Sequence, residues 1–252
     1  MSSAGSTKGS NREPALTGQT VVLIGGSSGI GLETARRARA EGAEVILTGR
    51  NANRLQDASA EVGARSVAAF DANDSGALAR FFESVPDPID HVLVTAGGPH
   101  YESLLDMDSD AVRAALSERV VLGLDVARHA VGKMRAGGTL LLMGMTGGRT
   151  IRRDLGIAPA VTAVLPPFVA ALALEVAPVR VNLIAAGFVD SPLSASILGD
   201  ALEERREQLR ATLPIGRVVE PADVAALAVH LMINTAVTGA TFDIDGGEQF
   251  VD

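Results

Sequence analysis

Apolar residues come along this chain in short unbroken runs, separated by stretches in which they recur every third or fourth position. Val21 to Ile24 reads as a strand buried on both faces; glycines then break the run, and a helical pattern begins at Leu32. The alternation continues with helix Leu32 to Glu41, strand Glu44 to Thr48, helix Asn53 to Val62, strand Ser66 to Phe70, helix Asp74 to Ser84 and strand His91 to Thr95. A long helix is expected over most of Leu104 to Met134, where Leu116, Val120, Leu124 and Ala127 fall at helical spacing. Strands at 139–143, Val179 to Ile184 and Ala240 to Ile244 complete the series, and Pro221 opens a helix before the last of them. Parallel strands joined by helices require right-handed crossovers and a sheet covered on both faces. The predicted fold class is therefore α/β: one Rossmann-type, doubly wound parallel sheet of about seven strands with helices on both faces. It is expected to occupy residues 16–252 as a single domain, behind a flexible tail of residues 1–15 that has no apolar run to bury.

Composition removes several alternatives. At 252 residues and 47% apolar, the chain can bury a sizeable core as one large domain. Without cysteine there are no disulfides or thiolate ligands, and His91, His100, His129 and His230 lack metal-ligand spacing, so no metal is expected. A net charge of −8, with no basic run carrying interleaved aromatics, argues against nucleic acid as a partner. Residues 1–14 carry no signal-peptide apolar region, so a cytoplasmic location is the expectation.

Only the stretch from Ala158 to Leu174 nears the ~18 apolar residues of a membrane span. Prolines at 159, 166 and 167 should start, kink or split this helix, and it reads as a buried interface element rather than a membrane contact. From Ile157 to Val176 it has almost no polar face, so the sheet can cover one side and a second copy of the chain the other. A homodimer or homotetramer is the expectation, with the tail from Phe242 to Val251 adding a second contact.

The chemistry concentrates at the first strand-to-helix turn, Gly25-Gly26-Ser27-Ser28-Gly29-Ile30-Gly31. Glycines at 25, 29 and 31 remove Cβ atoms from the path of a diphosphate, and the following helix offers free N–H groups and the positive end of its dipole. At the end of the second strand Gly49-Arg50 stands where a carboxylate would hold ribose hydroxyls. An arginine there suits a 2′-phosphate, which favours NADP(H) over NAD(H).

The Gly-x-x-x-Gly-x-Gly spacing resembles the short-chain dehydrogenase/reductase family: Gly25, Gly29, Ile30 and Gly31 stand where the family has them, with Ile24 in place of its threonine. Asp71-Ala72 resembles the family's adenine-contacting pair, although Asp71 could instead cap the helix that begins near Asp74. Thr95-Ala96-Gly97-Gly98 is similar to the loop that lets the cofactor ribose pass, and Ala186 to Pro192 to the nicotinamide segment, which assigns Gly187, Val189 and Ser191 to that end. Arg180-Val181-Asn182 and Asp245-Gly246-Gly247 extend the likeness over about Leu16 to Val251. The resemblance implies hydride transfer between nicotinamide and a small carbonyl or alcohol substrate.

The family's catalytic groups do not follow. Its serine position falls at Met145, its tyrosine at Ala158, its lysine at Thr162, and its asparagine near Arg119 or Val120. No slip of alignment restores them, because Tyr101 is the only tyrosine and no lysine follows Lys133. Two functions stay open: an oxidoreductase with a non-standard active site, or a catalytically silent NADP(H)-binding protein acting as sensor or assembly partner. Substitute groups are sought in the rim pair His100 and Tyr101, since an imidazole suits proton transfer near neutrality, and in Thr146 beside the serine position. Glu118, Arg119, Arg149, Arg152, Arg153 and Asp154 lie on the same side of the predicted cleft.

Overall fold

A computed structural model describes residues 14–98, 101–146 and 155–251. Seven parallel strands form one sheet: β1 (Thr20–Ile24), β2 (Glu44–Gly49), β3 (Ser66–Ala69), β4 (Ile89–Val94), β5 (Met134–Met145), β6 (Arg180–Ala186) and β7 (Thr241–Ile244). Their spatial order is β3-β2-β1-β4-β5-β6-β7. The chain thus runs outward from β1 in one direction, then returns and continues from β4 in the other. In register, Val21 to Ile24 of β1 pair with Val45 to Thr48 on one side and with His91 to Val94 on the other. The reversal between β1 and β4 leaves a crevice at the carboxyl ends of those strands, where no crossover covers the sheet.

Period-2 alternation distributes each strand between two cores. Val22 and Ile24 of β1 face the layer of α3 (Ser75–Ser84), α4 (Ser109–Ala130) and α6 (Leu165–Glu175), among Leu78, Phe82, Val126 and Val169. Val21 and Leu23 face the layer of α1 (Gly29–Ala40), α2 (Ala52–Val62) and α9 (Pro221–Ile233), among Ala35, Leu55 and Ala228. A strand buried on both sides has to be apolar at every position, which is why the runs in the sequence are continuous.

Three predicted elements differ in bounds or continuity from the pattern reading, which also did not include the two helices at Pro192–Leu198 and Leu202–Thr212. The long helix begins at Ser109 rather than near Leu104, because Asp108 caps it: its side chain accepts from the N–H groups of Asp110 at 2.9 Å and Ala111 at 2.8 Å. β5 begins at Met134, five residues before the expected Thr139, and Gly138 lets it approach β4: a Cβ there would lie 2.5 Å from the Asp90 carbonyl oxygen. The apolar helix is divided into α5 (Ala158–Ala163) and α6, with the break at Val164. Pro166 and Pro167 have no N–H to offer the carbonyls of Thr162 and Ala163, so the helix cannot run through. Val161, Leu165, Val169 and Leu172 are buried, while Val164 and Leu174 are exposed on the outer side. By length and hydropathy alone, Ala158–Glu175 is apolar enough to cross a membrane.

Past Ala186 the chain leaves the sheet, forms α7 (Pro192–Leu198) and α8 (Leu202–Thr212), and returns through α9 to β7. Of the predicted tail, residues 1–13 lie outside the described residues; Ala15 donates its N–H to Glu41 Oε2 at 3.0 Å.

Candidate functional site

Every strand of a parallel sheet points its carboxyl end to the same edge, and here that edge carries a cavity of about 710 Å³. Its walls come from the start of α1 (Ile30), the loop after β4 (Thr95, Gly97, Tyr101), α4 (Arg119) and the end of β5 (Met143 to Thr146). Leu155, the segment from Ala186 to Val189, α7, α8 and the C-terminal turn at Glu248 to Val251 close it.

The glycine turn has more than one physical cause. A Cβ on Gly25 would lie 2.5 Å from Thr95 Oγ1 and 2.9 Å from the Ala96 nitrogen; one on Gly31 would lie 2.2 Å from the Gly25 carbonyl oxygen. Both glycines are therefore required by contacts within the protein, whatever passes outside. Gly29 differs: its φ is +53° and a Cβ would meet only Ser191 and Pro192, at 3.8 Å. The turn is fastened to β4, since Thr95 Oγ1 donates to the Gly25 carbonyl at 2.9 Å and the Ala96 N–H to the Ile24 carbonyl at 3.0 Å.

Among α1 to α4, only α1 has no side-chain cap and no acid in its first turn; Asn51, Asp74 and Asp108 cap the other three. Its leading N–H groups and the positive end of its dipole are left to an anion from outside the helix. Ser28 is extended at φ −167° and Ser27 rests against Gly49, where a Cβ would come within 2.9 Å of Ser27 Oγ. Arg50 is exposed and makes no hydrogen bond or ion pair among the described residues. The donor set fits a dinucleotide carrying an extra phosphate. It does so through uncapped helix N–H groups at the diphosphate position and a guanidinium at the second strand's end.

The remaining predicted residues divide into those that line the cavity and those that do not. Ile30, Gly97, Tyr101, Thr146, Gly187, Val189 and Ser191 line it. Gly187 must be glycine, because a Cβ there would lie 2.5 Å from Glu248 Oε2 and 2.6 Å from Asp245 Cβ. Ser191 caps α7, its Oγ accepting from the Ser194 N–H at 3.3 Å. Ser28 and Gly29 line a smaller adjoining cleft with Ser191, Pro192 and Arg206. Asp71 does not cap the helix: Asp74 does, accepting from the Ala77 N–H at 3.0 Å, while Asp71 accepts from the Asn73 N–H at 3.0 Å. Ala72 is buried in the core, and Gly98 follows Gly97 with open space around it. His100, Arg149, Arg152, Arg153 and Asp154 lie outside the described residues.

At the positions counted for the family's proton-transfer groups the outcome is uneven. Met145 lines the cavity, but Ala158 is buried, at 5% exposure, and neither it nor Thr162 reaches the cavity wall. Among the described residues of this segment, the one that does so is Leu155, just before Gly156, which packs so tightly under the chain at Glu102 that a Cβ would sit 2.1 Å from the Glu102 carbonyl oxygen.

Two features, Arg205 and Glu248, were not legible as site residues, and Arg119 was placed from the sequence only near the asparagine position and on the same side of the predicted cleft. Arg119 donates Nη1–H to the Met143 carbonyl at 3.1 Å and faces the cavity. Burial holds its guanidinium below the ordinary value, against the opposing influence of Glu118 and Tyr101. Across the cavity Arg205 pairs with Glu248 at 2.5 Å, and Glu248 Oε2 accepts from the Phe188 N–H at 2.7 Å. In sequence, Arg205 is one of two adjacent arginines on a charged helix, and nothing in the spacing says which turns inward.

The fold and this edge define a nucleotide-binding α/β protein, and comparison supplies the family. Residues 24–249 match the family described as Enoyl-(Acyl carrier protein) reductase. The chain is 30% identical to short-chain dehydrogenase/reductase ATR9 of Stachybotrys chlorohalonatus, over 93% of this chain and 98% of that protein. It is 29% identical to the NADP-dependent (R)-specific alcohol dehydrogenase of Lentilactobacillus kefiri, over 92% and 97%. The crystal structure of BdcA in complex with NADPH superposes with a TM-score of 0.82 at 25% identity, covering 92% of this chain and 95% of that one. The protein belongs to the short-chain dehydrogenase/reductase family of oxidoreductases.

Proposed function

We propose that the protein binds NADP(H) in preference to NAD(H) and transfers hydride between it and a small carbonyl or alcohol, through an active site without the family's usual proton-transfer groups. The observation that carries this reading is the uncapped, acid-free start of α1, which lies beside Ser191 at the cleft adjoining the switch-point cavity. In it the Ser28, Gly29, Ile30 and Gly31 backbone receives the diphosphate and Arg50 the 2′-phosphate. Asp71 and Ala72 border the adenine; Ala96, Gly97 and Gly98 border the ribose; Gly187, Val189 and Ser191 border the nicotinamide. Bound there, the cofactor supplies the hydride. Tyr101 and Thr146 are the hydroxyl groups near the family's serine and asparagine positions, and either can orient a substrate oxygen. The NADP-dependent relative from Lentilactobacillus kefiri and the NADPH complex of BdcA support the choice of cofactor.

A second reading, a cofactor-binding protein that is catalytically silent, is favoured by the burial of Ala158 away from the cavity and by the lack of any lysine after Lys133. A cytoplasmic location and a homodimer or homotetramer formed through the outer side of α6 belong to the same proposal, with neither nucleic acid nor membrane as partner.

Fluorescence titration with NADPH and NADH tests the cofactor. Wild type should prefer NADPH, and Arg50→Ala should lose about 10- to 100-fold in NADPH affinity, as expected for charge-assisted hydrogen bonds. Equal wild-type affinities would refute the assignment. Turnover of a carbonyl panel with NADPH, or of alcohols with NADP, then separates the enzyme from the silent protein; against common substrates little turnover is expected, because positioned acid-base groups contribute about 10²–10⁴-fold.

A further inference from the structure

Among the described residues the cavity is lined by two cations in different circumstances. Arg205 is compensated: Nη2 pairs with Glu248 Oε1 at 2.5 Å, Nη1 donates to Gln208 Oε1 at 2.8 Å, and the guanidinium lies 5.8 Å from the Phe188 ring centroid. Arg119 has one hydrogen bond, to the Met143 carbonyl, and no ion pair among the described residues. Its stem passes over Gly97, where an added Cβ would lie 4.0 Å from Arg119 Cγ, and the hydrogen bond to Met143 holds the guanidinium at the cavity wall. A guanidinium carries five N–H donors in a rigid fork, so most of its hydrogen-bonding capacity is left for a ligand.

Among the described residues, apart from the influence of Glu118 and Tyr101, the wall offers little compensation. Met143, Met145, Leu155, Phe188, Ile197 and Val251 make much of the wall apolar. A desolvated cation beside such a wall is stabilised best by an anionic oxygen group presented in its own plane. Hydroxyl and amide groups can accept from it, but without the opposite charge.

We propose that Arg119 is the anion receptor of this cleft, taking the carboxylate head of a substrate whose apolar body lies along the Met145, Leu155 and Phe188 wall. The inference deepens the oxidoreductase reading by naming a substrate class, apolar carboxylic acids ionised at neutral pH, and it rests on that reading only for the cofactor's place. It also gives the site a selectivity that the family's missing hydroxyl and lysine groups do not supply: a neutral molecule of the same shape binds less well.

Isothermal titration with 2-naphthoate and 2-naphthamide tests this, since the two share a ring system and differ in charge. Wild-type apoprotein should bind the naphthoate about 10- to 100-fold more tightly than the amide, the range of a charge-assisted contact. Arg119→Gln should abolish the preference; Arg119→Lys should keep part of it, because a point charge lacks the fork. Circular dichroism and the urea midpoint establish that each variant is folded, and should Arg119→Gln fail to fold, Arg119→Met takes its place. Equal wild-type affinity for the two probes, including none for either, overturns the proposal, as does a preference that survives the loss of Arg119. Saturating NADP should leave naphthoate binding intact; its abolition would assign Arg119 to the cofactor and overturn the substrate role. Absence of NADPH binding in a separate titration would count against the oxidoreductase reading alone, because the naphthoate preference is measured on apoprotein.

Discussion

Acidification should destabilise this protein through one residue far from the cavity. His91 lies on β4, paired with Val21 of β1, and is 4% exposed. Its Nε2 meets Gln19 Oε1 at 2.7 Å, so the proton of the neutral ring sits on Nε2, and the buried Nδ1 has no partner. Protonation would place a second donor and a charge where nothing accepts them. Burial dominates and pushes the His91 pKa from 6.5 down to about 4; neighbouring Asp90 opposes the shift and Arg180 reinforces it. Asp90 is itself held elsewhere, accepting from the Thr20 N–H at 2.8 Å and from Arg135 at 2.7 Å.

The sign follows from which state binds the proton first. Above pH 6.5 the ring is neutral in both states and the contribution is fully present; between 6.5 and about 4 the unfolded chain takes up the proton and the folded one does not, so stability falls as pH falls. At about 1.4 kcal/mol per pH unit the whole gap is worth roughly 3 kcal/mol, of which about 2.5 kcal/mol is gone by about pH 4.5. Urea unfolding at a series of pH values, on wild type and His91→Gln, isolates this group, because the carboxylates titrate in both proteins. The difference in unfolding free energy between the two should shrink by roughly that amount from neutral to mildly acid pH. Parallel pH dependences would refute the reasoning, as would a ring titration near 6.5 in the folded protein.

Three further outcomes are expected. Gly31→Ala brings a methyl group to 2.2 Å from the Gly25 carbonyl and should cost about 3 kcal/mol in urea unfolding along with cofactor affinity, whereas Gly29→Ala makes only ordinary contacts at 3.8 Å with Ser191 and Pro192 and carries the strain of φ +53°, about 1 kcal/mol; equal losses at the two positions would contradict the packing argument. The triple change Met145→Ser, Ala158→Tyr, Thr162→Lys should lower thermal stability and leave carbonyl reduction unimproved, since residue 158 points into packed interior rather than the cavity; a gain in turnover would show that α5 moves to the cavity when cofactor binds. Leu174 is 85% exposed on α6, so Leu174→Glu should shift the light-scattering mass toward monomer at micromolar concentration without lowering the unfolding midpoint, and a wild type already monomeric there would remove the oligomer proposal.

The order and type of the seven strands and of the helices packed on the sheet were legible in the chain, because hydrophobic periodicity is a local consequence of where each element must be buried; α7 and α8, which pack over the cavity rather than on the sheet, were not. Val21 to Ile24 can only be a strand apolar on both faces, and Pro166-Pro167 can only interrupt a helix whose carbonyls they cannot satisfy. The glycine turn and Arg50 were visible for the same reason, since each lies where a strand ends and in a parallel sheet all such ends share one edge, whereas the segment at Gly187 to Ser191 was legible only through its resemblance to the family's motif. What local pattern does not carry is the distance between elements far apart in the chain. That Gly25 and Gly31 are required by Thr95, Ala96 and each other, that Gly187 is required by Asp245 and Glu248, and that residue 158 turns away from the cavity while Leu155 faces it, are facts of packing between segments. Arg119 shows the division most plainly. Its sequence says that a helix bears an arginine near the family's asparagine position, on the side of the cleft; its single hydrogen bond to Met143, its passage over Gly97 and its desolvation exist only once α4 is laid against the end of β5.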